Sequence, residues 1–458
     1  MSAQAQQVQI ATTDIPYQDE KFDCVTQQVA QRYMKDFGVN AESFGGEELC
    51  KSTSDFKRLM NDLILIENGQ FGTQTGNETF IKGFVKPDQY YAWMKSQTRG
   101  MERGNDVPYA TAYNSGGYFT MQDGWASLST LGRVGTVIHE ARHTAGYMHT
   151  ACKQGPYQAS GLPGCDTNYS YGGSHAVEME YYAYVSVKGK NFHPVYKKMA
   201  RLMGIARANF VFNTPIIKKK ETLMALSEDK KTAYVYLDDS SGRPQWVKKE
   251  VPLLSNTDQA ILKRTSFGAA LFNTKKVFAI DPYQNSGFSD LVEDVYSYLK
   301  ILIETKNPVK DMEEYDIGTQ RYLTKISDKD ILTSWDFPNG TWGRDTQVPF
   351  AVEKTVTTLV DEKIPMGYYL ITKTGEISQY QPQTGKLVRI SSIWDFSNKR
   401  VARWNSAGTM TTLLLKANGQ IMQLQNGQES AWAKARELGN ISDMTEMPLY
   451  DGFDVVVE

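Results

Sequence analysis

Long apolar runs are missing from this 458-residue chain. No stretch approaches the ~18 uninterrupted apolar residues of a membrane-spanning helix, so no such span is expected. An excess of one charge is missing too: 50 Lys and Arg face 52 Asp and Glu, a formal net charge of -2. A chain so balanced has no electrostatic reason to seek nucleic acid or an anionic membrane surface. Neither a P-loop nor a Gly-rich dinucleotide fingerprint is present, which leaves a nucleotide cofactor without its phosphate cradle. The opening "MSAQAQQVQIATTD" lacks the apolar core of a signal peptide.

Cysteine and histidine are scarce, with four and five residues. The cysteines form two local pairs, Cys24 with Cys50 and Cys152 with Cys165, the second bracketing a Gly/Pro-rich loop. An even count in local pairs favours disulfides and an exported protein (periplasmic, cell-surface or extracellular) whose signal peptide is absent from the sequence; four unrelated thiols are the alternative.

The length calls for two or three domains. Residues 1–20, rich in Gln, Ala and Thr without apolar period, are expected to be disordered. Residues 21–215 read as a mixed, mostly helical α+β domain. "CVTQQVAQRYMKDFG" and "SDFKRLMNDLILIENG" are amphipathic helices ending at Gly, and "YATAYNSGGYFTMQDGWASLS" is a strand pair about "NSGG". Residues 216–458 read as all-β. Five strand–turn–strand runs, beginning at "ETLMALSEDKKTAYVYLD", "AALFNTKKVFAIDP", "RYLTKISDKDILTSWD", "GYYLITKTGEISQYQP" and "TTLLLKANGQIMQLQNG", recur roughly every 45–50 residues, the period of a propeller blade. A propeller-like domain of about five blades is expected, with a helical insertion near 288–306; a β-sandwich of repeated hairpins is the other architecture.

Three of the five histidines lie in "HEARHTAGYMH", His139 to His149. Leu131, Val134, Val137, Ile138, Ala141 and Ala145 recur at three- and four-residue steps and form one apolar helix face. His139 and His143 fall outside that stripe and, four apart, lie one turn apart on a shared face. Two imidazoles so placed can bind one ion. Glu140 sits beside the first ligand, where a carboxylate can act as general base, since zinc lowers the pKa of a held water to about 7. Gly146 stops the helix and lets the chain return His149 to the same ion.

The string fits H-E-x-x-H-x-x-G-x-x-H and resembles the zincin metallopeptidases, by its extended motif the metzincin clan. The resemblance is specific over His139–His149 and extends more weakly over residues 20–215. It implies one catalytic zinc held by His139, His143 and His149, Glu140 as general base, and an edge strand before the helix that pairs with extended substrate. Met179 and Tyr181 have the spacing of the clan's Met-turn, but "SHAVEMEYYAYV" reads as a helix. In the gluzincin branch the third ligand is a Glu on a downstream helix, which keeps Glu178 and Glu180 as alternative ligands, with His175 nearby. Tyr147, Tyr169 and Tyr171 are candidates to stabilise an oxyanion.

The function expected is an exported zinc metallopeptidase with a protein or peptide substrate, its propeller recognising that substrate or another protein or glycan partner. The alternatives are a binding or adhesion protein whose propeller works on a zincin-like scaffold, and a zinc amidase acting on cell-wall material.

Overall fold

The computed structural model describes residues 14–451, except 75–79, 108–109, 154–162, 215, 217, 239–243, 252–260, 266–267, 273–276, 281–287, 290–308, 318–319, 337–340, 343–344, 356–367, 374–376, 382–385, 392–397 and 407–408. It divides into two compact units, one built on Met1–Lys153 and Leu162–Ile216, the other on Ile217–Asp451.

The first unit runs α1 (Gln27–Phe37), α2 (Asp55–Asn68), α3 (Tyr90–Gln97), β1 (Gly100–Arg103), β2 (Ala112–Ser115), β3 (Tyr118–Met121), α4 (Asp123–Ala126), α5 (Thr130–Thr144), β4 (Thr150–Ala151), β5 (Pro163–Cys165), α6 (Ser174–Ala183) and α7 (Pro194–Phe210). The expected strand pair is β2 and β3, turned by Gly116 and Gly117, both at positive φ. β1 adds to β3 in parallel, so β2 is left as the antiparallel edge.

Helix α5 is the spine of this unit. Ser129 caps it by accepting from the Gly132 N–H. Leu131, Val134, Val137, Ile138 and Ala141 are fully buried, as the stripe requires, whereas Ala145 caps the helix end and is exposed. α5 packs on α2, α6 and β2. Gly135 sets the approach to α6: a Cβ there would lie 1.8 Å from the Tyr182 hydroxyl oxygen.

Arg133, also buried on α5, ion-pairs with Asp62 of α2 at 2.8 Å and with Asp19 at 2.7 Å. A buried guanidinium is costly without such partners. This corrects the expectation of disorder through residue 20. Asp19 is drawn to Arg133, and Ile15 donates its N–H to Asn191 O. Residues 1–13 lie outside the described residues. Both expected disulfides are formed, Cys24–Cys50 and Cys152–Cys165. Among the described residues no helix is long and apolar enough to cross a membrane.

The second unit is propeller-like, with five antiparallel sheets. β6 (Lys218–Ser227), β7 (Thr232–Asp238) and β8 (Pro244–Glu250) belong to the first; β9 (Ile261–Thr265), β10 (Gly268–Phe272), β11 (Val277–Ile280) and β12 (Phe288–Ser289) form the second. The third holds β13 (Val309–Ile317), β14 (Gln320–Ser327), β15 (Ile331–Asp336), β16 (Thr341–Trp342) and β17 (Thr346–Gln347). The fourth is β18 (Val352–Thr355), β19 (Tyr368–Thr372), β20 (Ile377–Gln381) and β21 (Lys386–Ser391); the fifth is β22 (Asn398–Ser406), β23 (Thr409–Lys416), β24 (Ile421–Gln425) and β25 (Gln428–Ala431). The last strand, β26 (Ile441–Asp451), pairs with β6 and completes the first sheet. Each expected hairpin is the central pair of one sheet. The helix expected near 288–306 begins instead with a strand at Phe288–Ser289, and 290–308 lie outside the described residues.

Strand alternation explains the stacking. On β6, Leu223 and Ala225 pack with Leu413, Leu415 and Trp432 of the fifth sheet and its flank, while Met224 and Leu226 pack with Leu262 and Leu271 of the second. The first sheet therefore buries both faces, as a blade stacked between two others does. β9 lies beside β26 and β13, and β22 beside β26. There the charges are paired across sheets: Lys263 with Asp311 at 2.7 Å, and Arg400 with Asp443 at 2.6 Å.

Candidate metal centre

Helix α5 presents His139 and His143 from the face its apolar stripe leaves free, and both are half-buried. At Gly146, φ +85°, the chain leaves the helix and returns His149 toward them. The His139 and His149 Nε2 atoms lie 2.9 Å apart. One ligand atom from each of His139, His143 and His149 lies within 4.8 Å of the others, so the three could hold a metal ion.

The opposite ring nitrogens identify which atoms face the centre. His139 Nδ1 lies 3.3 Å from Glu178 Oε2, His143 Nδ1 lies 2.6 Å from the Tyr147 carbonyl, and His149 Nδ1 lies 3.2 Å from Asp166 Oδ1. Carboxylates and a carbonyl only accept, so each Nδ1 carries the proton and donates. Each Nε2 then bears a lone pair, and those of His139 and His149 face each other. Such an arrangement could hold a cation between the rings. Protonation is a poor source: burial, with His175 and His149 adding, holds His139 well below the usual histidine range, and burial takes His143 down to about 4. The donor set therefore fits a metal of zinc type, with each imidazole oriented from behind.

Glu140 points its carboxyl into the protein. Among the described residues its buried Oε2 has no hydrogen-bond partner, and burial, with the Glu178 carboxylate adding, pushes the group up to about 8. The Glu140 carbonyl accepts from Asn114 Nδ2, which also donates to Thr144 Oγ1 at 2.8 Å. Asn114 thus pins edge strand β2 along α5.

The remaining candidates are distributed as follows. Glu178 is fully buried behind His139, where it faces His175 as well as His139, and with these two it makes a second group able to hold a metal. Glu180 is outside the centre: its carboxylate accepts from the N–H groups of Lys82, Gly83 and Val85, because successive helix residues diverge by about 100° and α6 turns this one toward the 82–85 loop. Tyr169 is taken up by the Phe80 carbonyl, to which its hydroxyl donates. Tyr147 lies under the Arg142 guanidinium, 3.8 Å from its ring centre, and packs edge-on with the exposed Tyr171. Met179 is fully buried in mid-helix, so it forms no tight turn.

Ser174, Asp166 and Arg207 complete the surroundings. Ser174 Oγ lies 2.9 Å from His143 Nδ1 and donates to the Tyr147 carbonyl. Asp166 follows Cys165 directly, at the end of β5, whose partner β4 begins one residue after His149. The disulfide and this short ladder hold the His149–Asp166 pair in register. Arg207, on α7, carries no local motif that marks it.

No family model matches this chain, and no curated protein matches it. Among solved structures it is similar to AztD of Citrobacter koseri, at 14% identity over 48% of this chain and 70% of that one, with a TM-score of 0.24. It is also similar to a chain of a nidogen–laminin complex, at 7% identity over 50% and 98%, with a TM-score of 0.32. The C-terminal WD40 domain of Sif2 is similar at 11% identity over 50% and 63%, with a TM-score of 0.22.

Proposed function

We propose that this chain is an exported zinc-dependent hydrolase that cleaves an amide bond in a protein or peptide. In this reading the first unit is a zincin-like domain of metzincin type, with His139, His143 and His149 as ligands. The observation that carries it is the pairing of two features: three imidazoles that could hold one ion, and, next to His139 in the chain, Glu140, whose buried Oε2 has no hydrogen-bond partner among the described residues. A site that only stores metal has no use for the second.

A zinc ion held by the three histidines supplies Lewis acidity and makes a water acidic near neutral pH. The rest falls to the chain. Glu140 Oε2 takes the proton of the attacking water and delivers it to the departing amine nitrogen. The free edge of β2, pinned to α5 through Asn114, offers backbone N–H and C=O groups to an extended substrate. His149 serves as third ligand in preference to Glu178, whose oxygens are already engaged by Arg207, Tyr182 and two imidazoles. Two disulfides support an oxidising compartment outside the cytosol. The blades then select substrate or partner. A cell-wall amide would use the same chemistry.

The second reading is a binding or adhesion protein whose blades recognise a protein or glycan and whose first unit is a metal-bearing scaffold. It draws on the five antiparallel sheets and on β26, which returns to pair with β6, as in a propeller that presents loops. Glu140→Gln separates the two. Zinc content should stay near one per chain while hydrolysis of a peptide library falls by about 10²–10⁴. Hydrolysis unchanged by this substitution, or absent from the zinc-loaded parent on both peptide and cell-wall fragments, removes the hydrolase reading and leaves the second.

A further inference from the structure

His139, His175 and Glu178 form a second group with metal-ligand character. Its surroundings give it a different role. On Glu178, Oε1 accepts from Arg207 twice, Nε at 2.9 Å and Nη2 at 2.8 Å, and from the Tyr182 hydroxyl at 3.0 Å. The guanidinium already supplies the cation that this buried carboxylate needs, through Oε1. Three donors on one oxygen fix the plane of the carboxylate, and so fix the other oxygen. That other oxygen, Oε2, faces two imidazoles: His139 Nδ1 at 3.3 Å and His175 Nδ1 at 3.4 Å.

The same carboxylate reaches both sides of the centre. It holds His139 directly. His175 Nε2 lies 3.1 Å from the Gly164 carbonyl on β5, two residues before Asp166, and its ring stacks on His149 with centroids 4.6 Å apart. Asp166 in turn accepts from His149 Nδ1. The orientations of two of the three histidines thus depend on where Glu178 is held.

We infer that Arg207 is a positioning residue of the metal centre: by forking onto Glu178 Oε1 it aims Oε2 at His139 and His175, and so selects the Nδ1–H tautomer that leaves His139 Nε2 for the metal. This rests on the reading that His139, His143 and His149 hold zinc. Arg207 is not a catalytic residue, since Glu178 and His139 stand between it and the metal position.

The test uses the full chain, stripped of metal and titrated with zinc against a chromogenic chelator at one pH. Arg207→Met and Arg207→Lys are compared with the parent, and His143→Ala marks loss of the site itself. Long-range proton–nitrogen spectra of ring-labelled histidine report the His139 tautomer in the zinc-loaded chain, and melting of the metal-free chain reports stability. Arg207→Met is expected to weaken zinc binding roughly 10–100-fold. It should also blur the His139 Nδ1–H signature. Arg207→Lys should recover part of both, because a lysine is one donor head and not a fork. Zinc affinity within twofold of the parent for Arg207→Met overturns the inference. So does a loss that follows melting temperature alone with the tautomer unchanged. If Arg207→Met does not fold, Arg207→Lys decides: parental affinity and tautomer in that variant overturn it. A parent that binds no zinc, or a His143→Ala chain that binds it equally well, overturns the metal reading and this inference together.

Discussion

Gly135→Ala tests the packing that brings α5 and α6 together at the candidate metal centre. Two effects oppose each other. Alanine favours a helix interior over glycine by about 1 kcal/mol, so on propensity alone the variant should be the more stable. The added Cβ, however, would lie 1.8 Å from the Tyr182 hydroxyl oxygen and 2.6 Å from the ring carbon bearing it. Neither side chain can yield easily, because Tyr182 is fully buried. Overpacking of this kind costs about 1–3 kcal/mol. Moving the ring also removes its hydrogen bond to the Glu178 carboxylate, worth about 1.5–3 kcal/mol as a bond to a charged group. The clash outweighs propensity, and a net loss of about 2–4 kcal/mol is expected. For a unit of some 200 residues that lowers its melting temperature by roughly 5–15 °C. Differential scanning calorimetry of the metal-free chain measures it. The cost should shrink in a Tyr182→Phe background, where the oxygen is gone. A Gly135→Ala chain as stable as the parent would refute the reasoning, since propensity would then have won and α5 and α6 would not be in contact through this pair.

Asp166→Asn should weaken zinc binding by about 10–100-fold while leaving the fold in place, because His149 loses a carboxylate acceptor behind its ring; chelator competition measures it, and parental affinity would show that Asp166 does not orient His149. The metal-free chain should lose stability in acid. His143 is held at about 4 in the fold and titrates near 6.5 when unfolded, so the unfolded chain binds more protons between those values. Its contribution, about 3 kcal/mol, is complete above pH 6.5 and lost as pH falls toward 4. Denaturant titrations between pH 4 and 7 should show that trend most clearly in Glu140→Gln, which removes a carboxyl whose raised pKa contributes with the opposite sign.

Local patterns were readable because their physics is local. The i, i+4 spacing of His139 and His143 follows from helix pitch, and Gly146 needed only its freedom at positive φ to return His149. Period-two alternation marked the central hairpin of every sheet. The short separations within each cysteine pair made their partners the nearest in sequence. Where such reasoning failed, a distant partner intervened: the segment around Asp19 reads as disordered until Arg133, 114 residues away, requires its carboxylate. Glu178 and Glu180, two residues apart and equivalent on paper, meet different surroundings, one the histidines and Arg207, the other the 82–85 amides.

By itself, then, the sequence determined the candidate ligands, the carboxylate next to them in the chain, the helix that carries them and the repeating hairpins, since all of these depend on spacing along a few turns or strands. Only the tertiary structure decided which atoms stand behind each imidazole, that Gly135 admits Tyr182 to Glu178, and that β26 returns over 200 residues to pair with β6. Those depend on which surfaces pack together. A buried donor accepts whatever partner the fold brings within 3 Å, and no periodicity in the chain encodes that distance.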